Sequence, residues 1–323
     1  MERIPQVAAA VIGVPLALAA YILLVERGLT LLPERSRPRF RPWLWILPAL
    51  LFVSGYLVIP SLITIWLSVF DARSAEFVGI GNYLQLAASD PFWTAVRNNV
   101  LWVFFFTGAA IVFGLIFALL ADRVRYESAA KSLVFLPMAI SFVAASVIWK
   151  FIFDFQPAGF TQTGLLNAVM TTLTAIEPLA WLTNAPWNTF LLILIGVWVW
   201  TGFAMIVLSA ALKGVPGELL EAARVDGANE LQVFRRIVLP LLAPTIAVIA
   251  TTLAIFALKA FDIIYVTTSG NFETEVLAFL MYDELFTASH AGRSSAIAVI
   301  LLLVVIPVLI VNVRRLRFER AVR

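Results

Sequence analysis

The stretch "GELLEAARVDGANELQVFRRIVLP", residues 217–240, separates two long apolar runs and carries helix punctuation throughout. Pro216 suits the first position of a helix, where its missing N–H costs nothing. Glu218 and Glu221 fall in the first turns, at the positive end of the helix dipole. Gly227 stands where that helix should stop, because glycine enters the left-handed conformation that closes helices. Asn229 then caps a second helix, with Gln232 three residues on in capping-box spacing. Arg235 and Arg236 fall in the last turn of that second helix, and Pro240 opens the next apolar run. The pattern predicts helix, glycine bend, helix. Ala222, Ala223 and Gly227 are small and would let a partner approach closely, with Leu219, Leu220, Val225, Leu231 and Phe234 around them. Such a surface fits either the lipid headgroups or a groove on a protein.

The flanking sequence decides what the stretch is embedded in. Of 323 residues, 62% are hydrophobic and 13% charged, whereas ordinary soluble domains carry about 25% charged residues. Near-uncharged runs at roughly 6–25, 43–70, 98–121, 132–153, 188–212, 241–268 and 294–313 each reach the ~20 residues that carry a helix across the hydrocarbon core. Their length favours helices over a β-barrel. Pro48 and Pro60 predict tilt or kinking in the second run. Lys and Arg alternate between the connections. Arg27, Arg35, Arg37, Arg39 and Arg41 precede the second run; Arg123, Arg125 and Lys131 lie in 122–131; Lys213, Arg224, Arg235 and Arg236 lie in 213–240; Arg314, Arg315, Arg317, Arg320 and Arg323 end the chain. The intervening connections hold few or none. By the positive-inside rule these basic segments face the cytoplasm and the N-terminus lies outside. The first run reads as a retained span, since Glu2 beside Arg3 makes a poor leader. "ASDPFW" at 88–93 predicts a helix start at Asp90-Pro91, and "GLLNAVMTTLTAI" a short helix at the outer surface.

Several chemistries are excluded. With no cysteine and only His290, thiolate chemistry and His- or Cys-based metal sites are out. No phosphate-binding loop surrounds any of the four lysines, so the chain is not its own ATPase. Ion-driven carriers use ionisable groups deep in the bundle. Lys259 and Asp262 are the main charges within a run, and a rise of about 1.5 Å per residue from Pro240 puts them near the outer face. There they suit snorkelling or an ion pair, or contact with a substrate at an outer gate.

"EAARVDGANELQVFRRIVLP" resembles the loop that marks permease subunits of binding-protein-dependent ABC importers. The residues that carry the likeness are Glu221, Ala222, Ala223, Gly227, Ile237, Leu239 and Pro240, with no departure from the family pattern. "SVFDARSAEFVGIGNYLQLAASDPFWTAVRNNVLWV" (68–103), "WVWTGFAMIVLSAALKGVPGELLEAARVDGA", "FDIIYVTTSG" and "SSAIAVILLLVVI" look like the carbohydrate-uptake, maltose-type branch, and within it like α-glucoside and oligosaccharide permeases. The resemblance covers about 43–318. It implies an all-α polytopic membrane protein of the type I ABC importer permease fold, a six-helix core with one extra N-terminal helix. It divides the chain into an added helix and basic linker (1–42), the permease domain (43–313) with its docking loop at 213–240, and a basic tail (314–323).

The same resemblance implies partners: two copies of a cytoplasmic ABC ATPase, a second permease subunit that makes a heterodimer, and an extracytoplasmic sugar-binding protein. No cofactor is expected on this chain; ATP and Mg belong to the ATPase. The docking residues are the seven just named, with Glu221 in polar contact with the ATPase. Sugars are held by aromatic faces and hydrogen-bonding groups, which makes Trp198, Trp200, Thr201, Thr251, Thr252, Phe256 and Tyr265 candidates for the substrate path. A permease for glycerol phosphate or a polyamine is the alternative, and a secondary carrier a more distant one. A phosphate would call for Arg or Lys in mid-span, where none occurs.

Overall fold

The computed structural model describes residues 3–174 and 176–322. The chain divides into two compact units, Met1–Thr64 and Ile65–Arg323. In the first, α1 (Arg3–Thr30) is followed by the start of α2 (Arg37–Leu67). Arg41 binds Glu26 at 2.6 Å, and the Trp45 indole donates to Glu26 at 3.3 Å. Pro60 does not interrupt α2. One turn before it, Ser54–Val58 widens to π-helical spacing and the Ile59 N–H reaches Ser54 O, so the proline ring avoids the carbonyl it would otherwise strike.

The second unit continues with α3 (Gly81–Ala87), α4 (Asp90–Ala121), α5 (Glu127–Phe135), α6 (Phe142–Ile152) and α7 (Leu165–Thr174). Next come α8 (Trp187–Lys213), α9 (Gly217–Val225), α10 (Glu230–Leu258), α11 (Asp262–Thr267), α12 (Leu277–Phe286) and α13 (Ala291–Val322), the last apolar through Pro307. Asp90 begins α4 as expected, and the expected loop helix forms at Leu165–Thr174. Buried Asn167 on that helix fastens its loop, donating to Asp154 O and Leu179 O and accepting from Leu179 N and the Trp181 indole. In the loop before α3, Asp71 Oδ1 accepts the N–H groups of Ala75 and Glu76, and these bonds hold its carboxyl below the usual carboxylate range.

α8 is apolar on every side, the mark of a helix enclosed by others, and it forms the centre of this unit. Ile195, Met205 and Leu208 on it are fully buried beside Trp102 and Phe106 of α4 and Ile249 and Leu253 of α10. Small residues set the spacing: a Cβ on Gly196 would lie 2.9 Å from the Trp102 ring, and one on Gly202 would lie 2.6 Å from Phe135 Cα.

Two of the apolar runs are broken. The 132–153 run bends by 97° between Glu127–Ala139 and Phe142–Ile152. Pro137 sits in a tight turn at Leu136–Ala139, and Ser141 caps the new helix by accepting the Ala144 N–H at 3.2 Å. The 241–268 run ends its main helix at Leu258 and resumes at Asp262. Buried Asn99 of α4 makes that break tolerable, its amide lying 3.4 Å from both the Ala257 and Leu258 carbonyls. Counting the bent pair as one, six helical stretches among the described residues are long and apolar enough to span a membrane, with Ala291–Pro307 a shorter apolar helix besides.

Candidate functional site

The 217–240 stretch folds as two helical segments about a glycine turn. Pro216 is the residue before the first helix rather than its first member, and α9 starts at Gly217. The turn has a Schellman bond pattern: Ala228 N–H reaches Ala223 O at 3.0 Å, and Gly227 N–H reaches Arg224 O at 3.1 Å. Gly227 sits at φ +84, where a side chain costs about 1–2 kcal/mol. The capping box is complete, Asn229 and Gln232 exchanging backbone and side-chain bonds at 2.9 Å. Arg224 spans the turn to Glu230 through bonds of 2.8 and 3.2 Å.

The second segment does not end before the apolar run, contrary to the pattern read from Arg235, Arg236 and Pro240. It runs on unbroken as α10 through a π-helical turn at Phe234–Val238, where Leu239 N–H bonds to Phe234 O. The widened turn absorbs Pro240 as the equivalent turn absorbs Pro60. Val233, Val238 and Leu242 are buried in an apolar cluster that Leu220, Ala223 and Ala228 join. Ala223 thus packs inward, while Glu221, Ala222, Gly227 and Pro240 are exposed and Ile237 and Leu239 half-buried. Leu219, Val225 and Leu231 are also exposed, Val225 by 88%. The unit therefore presents a rigid ridge of small, apolar and acidic groups on a helix that runs into the bundle.

The far end of α10 reaches a cavity of about 340 Å³ lined by Phe142, Trp200, Thr252, Ile255, Phe256 and the segment Lys259–Ile263. Phe256 is central to its wall, its ring centroid 4.9 Å from Phe142 and 4.8 Å from Trp200. Lys259 and Asp262 flank the break after α10, and among the described residues neither side chain has a hydrogen-bond or ion-pair partner. The cavity thus joins aromatic faces, one cation and one anion.

The proposed path residues do not all meet there. Trp200, Thr252 and Phe256 do, joined by the two charges Lys259 and Asp262. Trp198 and Thr201 line a separate apolar cavity of about 330 Å³ with Trp149 and Pro137. Residues two apart on a helix face opposite ways, whereas 198 and 201 share a side. Thr201 is buried and bonds Val197 O at 2.6 Å. Thr251 bonds back to Ala247 O, and Thr252 to Val248 O. Tyr265 is 43% exposed in an aromatic group with Phe261 and Tyr282. Lys150 reaches Val266 O at 3.4 Å, at the end of α11.

Sequence reasoning passed over a cluster of Asp122, Glu127, Lys131, Ser209 and Lys213 at the end of the bundle that carries the 217–240 ridge. Its one sequence signal is the Glu127–Lys131 spacing on a helix face. It also passed over Asn99, signalled only by a pair of amides at 98–99 in an apolar run.

Residues 110–323 match the family described as "Binding-protein-dependent transport system inner membrane component". The osmoprotective compounds uptake permease protein GgtC of Synechocystis sp. is 51% identical over 87% of this chain and 100% of its own length. The alpha-glucoside transport system permease protein AglF of Rhizobium meliloti is 46% identical over 85% of this chain and 82% of its own. In backbone, the chain superposes with TM-score 0.74 on a bacterial ABC transporter involved in import of the acidic polysaccharide alginate, at 24% identity over 88% of this chain and 98% of that one. The ridge at 217–240, the multispan helical bundle and the extended match over 110–323 place this chain in the family of binding-protein-dependent transport system inner membrane components, the multi-pass permease subunits of ABC importers.

Proposed function

We propose that the chain is a permease subunit of an ATP-driven importer that receives a neutral sugar or oligosaccharide from an external binding protein and releases it to the cytoplasm by alternating access. Two copies of a cytoplasmic ATPase hold ATP and Mg and hydrolyse the nucleotide; this chain binds neither. A second, different permease subunit completes the pathway. The N-terminus lies outside and the C-terminus in the cytoplasm, as the distribution of Arg and Lys favours. The reading rests on the 217–240 ridge: exposed Glu221 and Ala222 face away from the chain, while Ala223 and Leu220 anchor the same helix to α10. A displacement at the ridge is therefore passed to the bundle instead of being lost in a loose loop.

The cavity supports a neutral substrate. A phosphate ester would draw on surplus Arg or Lys and a polyamine on surplus carboxylates, but Lys259 and Asp262 balance each other among the cavity walls. Aromatic faces with one strong donor and one strong acceptor suit a polyhydroxylated ring. The alpha-glucoside name of one relative points the same way. Purification of the intact complex from membranes tests the assembly: it should contain an ABC ATPase. Glu221→Lys, at an exposed site whose side chain makes no hydrogen bond or ion pair among the described residues, should insert normally and lose ATP-dependent uptake. A complex without an ATPase, or full uptake by Glu221→Lys, would overturn the docking reading.

A further inference from the structure

Five polar side chains meet beside the docking ridge, and neither the ridge nor the cavity uses them. The Lys131 ammonium donates to Asp122 Oδ1 at 2.6 Å, to Glu127 Oε1 at 2.5 Å and to Ser209 Oγ. The Ser209 hydroxyl donates to Asp122 Oδ1 at 2.8 Å. Lys213 donates to the same Glu127 Oε1 that Lys131 binds. The cluster joins three elements: the residue after α4, the first turns of α5 and the last turn of α8. The Lys131 side chain is 16% exposed and that of Asp122 21%, and Ser209 is buried.

Two cations and two anions cancel, so the cluster supplies no net field. Nor is it an efficient source of stability, because well-packed apolar groups often hold helices as firmly as a buried ion pair. What it supplies is a fixed registration: three helix ends are bonded through one partly exposed ammonium, and a shift of the α4 or α8 end costs that ammonium a bond.

Its place in the chain gives that registration a use. Lys213 is the last residue of α8, immediately before the ridge. α5 leads through the Leu136–Ala139 turn to the 97° bend, and Phe142 just beyond the bend forms part of the cavity wall. α5 and α8 also touch higher up, where Gly202 meets the Phe135 backbone. The geometry points to Lys131 as a positioning residue that ties the docking ridge to the broken span, so that a displacement at α9 reaches the cavity through α8 and α5 as well as through α10. This inference rests on the docking reading above.

The test uses the complete complex in proteoliposomes with its binding protein, measuring sugar moved per ATP hydrolysed. Lys131→Met should lower that ratio on the order of tenfold, within the usual range of coupling free energies, while hydrolysis continues. Lys131→Arg keeps the charge and should restore most of the ratio. Ser209→Ala breaks two bonds without stranding an added charge and should lower the ratio by a smaller factor; it decides the matter if Lys131→Met does not assemble. An unchanged ratio in the assembled variants would overturn the proposal, as would an equal fall in transport and hydrolysis, which marks general damage. Absence of an ATPase from the wild-type complex is a separate result that removes the docking reading itself.

Discussion

At Gly227 the demand is on backbone conformation alone. Its φ of +84 lies where L side chains are strained, yet no atom lies within 4 Å of where a Cβ would stand. Gly227→Ala should therefore cost about 1–2 kcal/mol of local stability and leave most of the uptake, because the turn can still form. Gly227→Pro cannot form it: the ring fixes φ near −65° and removes the N–H that reaches Arg224 O. That variant should accumulate in the membrane at normal levels and transport nothing. Uptake assays with matched membrane amounts separate the two outcomes, and normal transport by the proline variant would show that the ridge does not need its shape. Glu221 makes the complementary case: among the described residues its side chain makes no hydrogen bond or ion pair, and its one intrachain influence is the longer-range field it adds at Arg224, so loss of uptake with the turn intact points to a partner.

Among the elements, α10 shows what sequence can and cannot disclose. Its start was legible, because the capping box and the glycine turn are made by residues three to five apart, whose partners lie in the same short stretch. Its passage through Pro240 was misread, since Pro240 suggests an interruption and the π-helical turn that removes the interruption leaves no local mark. Its end at Leu258 was not legible: the amide that covers the freed carbonyls comes from Asn99, 158 residues before Ala257. The bend after Ala139 was hidden by uniform apolar composition, with Pro137 its one clue. The cavity was half legible for a related reason. Residue type identified Trp200 and Phe256, but helix phase, fixed by packing, sends Trp198 to another face. Asn99 also accepts the Leu277 N–H at 2.8 Å, so Asn99→Ala should leave two backbone groups, the Leu258 carbonyl and the Leu277 N–H, unpaired in a water-poor interior. We expect a loss of about 1–3 kcal/mol, read as a lower unfolding temperature of the purified complex. Unchanged stability would mean that other groups cover the break.

At the scale of the permease, the proposed function assigns capture and passage of the sugar to different proteins, and this separation gives distinct signatures to distinct variants. α10 runs from the ridge to the cavity wall; from Glu230 to Phe256 it covers about 39 Å at 1.5 Å per residue. On that proposal one end answers to the ATPase and the other to the sugar, with two states biased from both sides, and the external binding protein sets the concentration at which sugar is captured. A cavity residue acts only after delivery, so weakening it should slow passage without changing capture. Lys259→Met and Phe256→Ala each remove one kind of contact, a donor or an aromatic face, from the same wall. Each should lower the maximal uptake rate several-fold and keep the half-saturating sugar concentration within about twofold of wild type, since only interactions gained in the transition state alter the rate. Ridge variants such as Gly227→Pro should instead abolish uptake at every sugar concentration. Initial-rate uptake across a range of sugar concentrations distinguishes these patterns. A cavity variant that shifted half-saturation while keeping the full maximal rate would place capture inside the permease and remove the division of labour between binding protein and membrane chain.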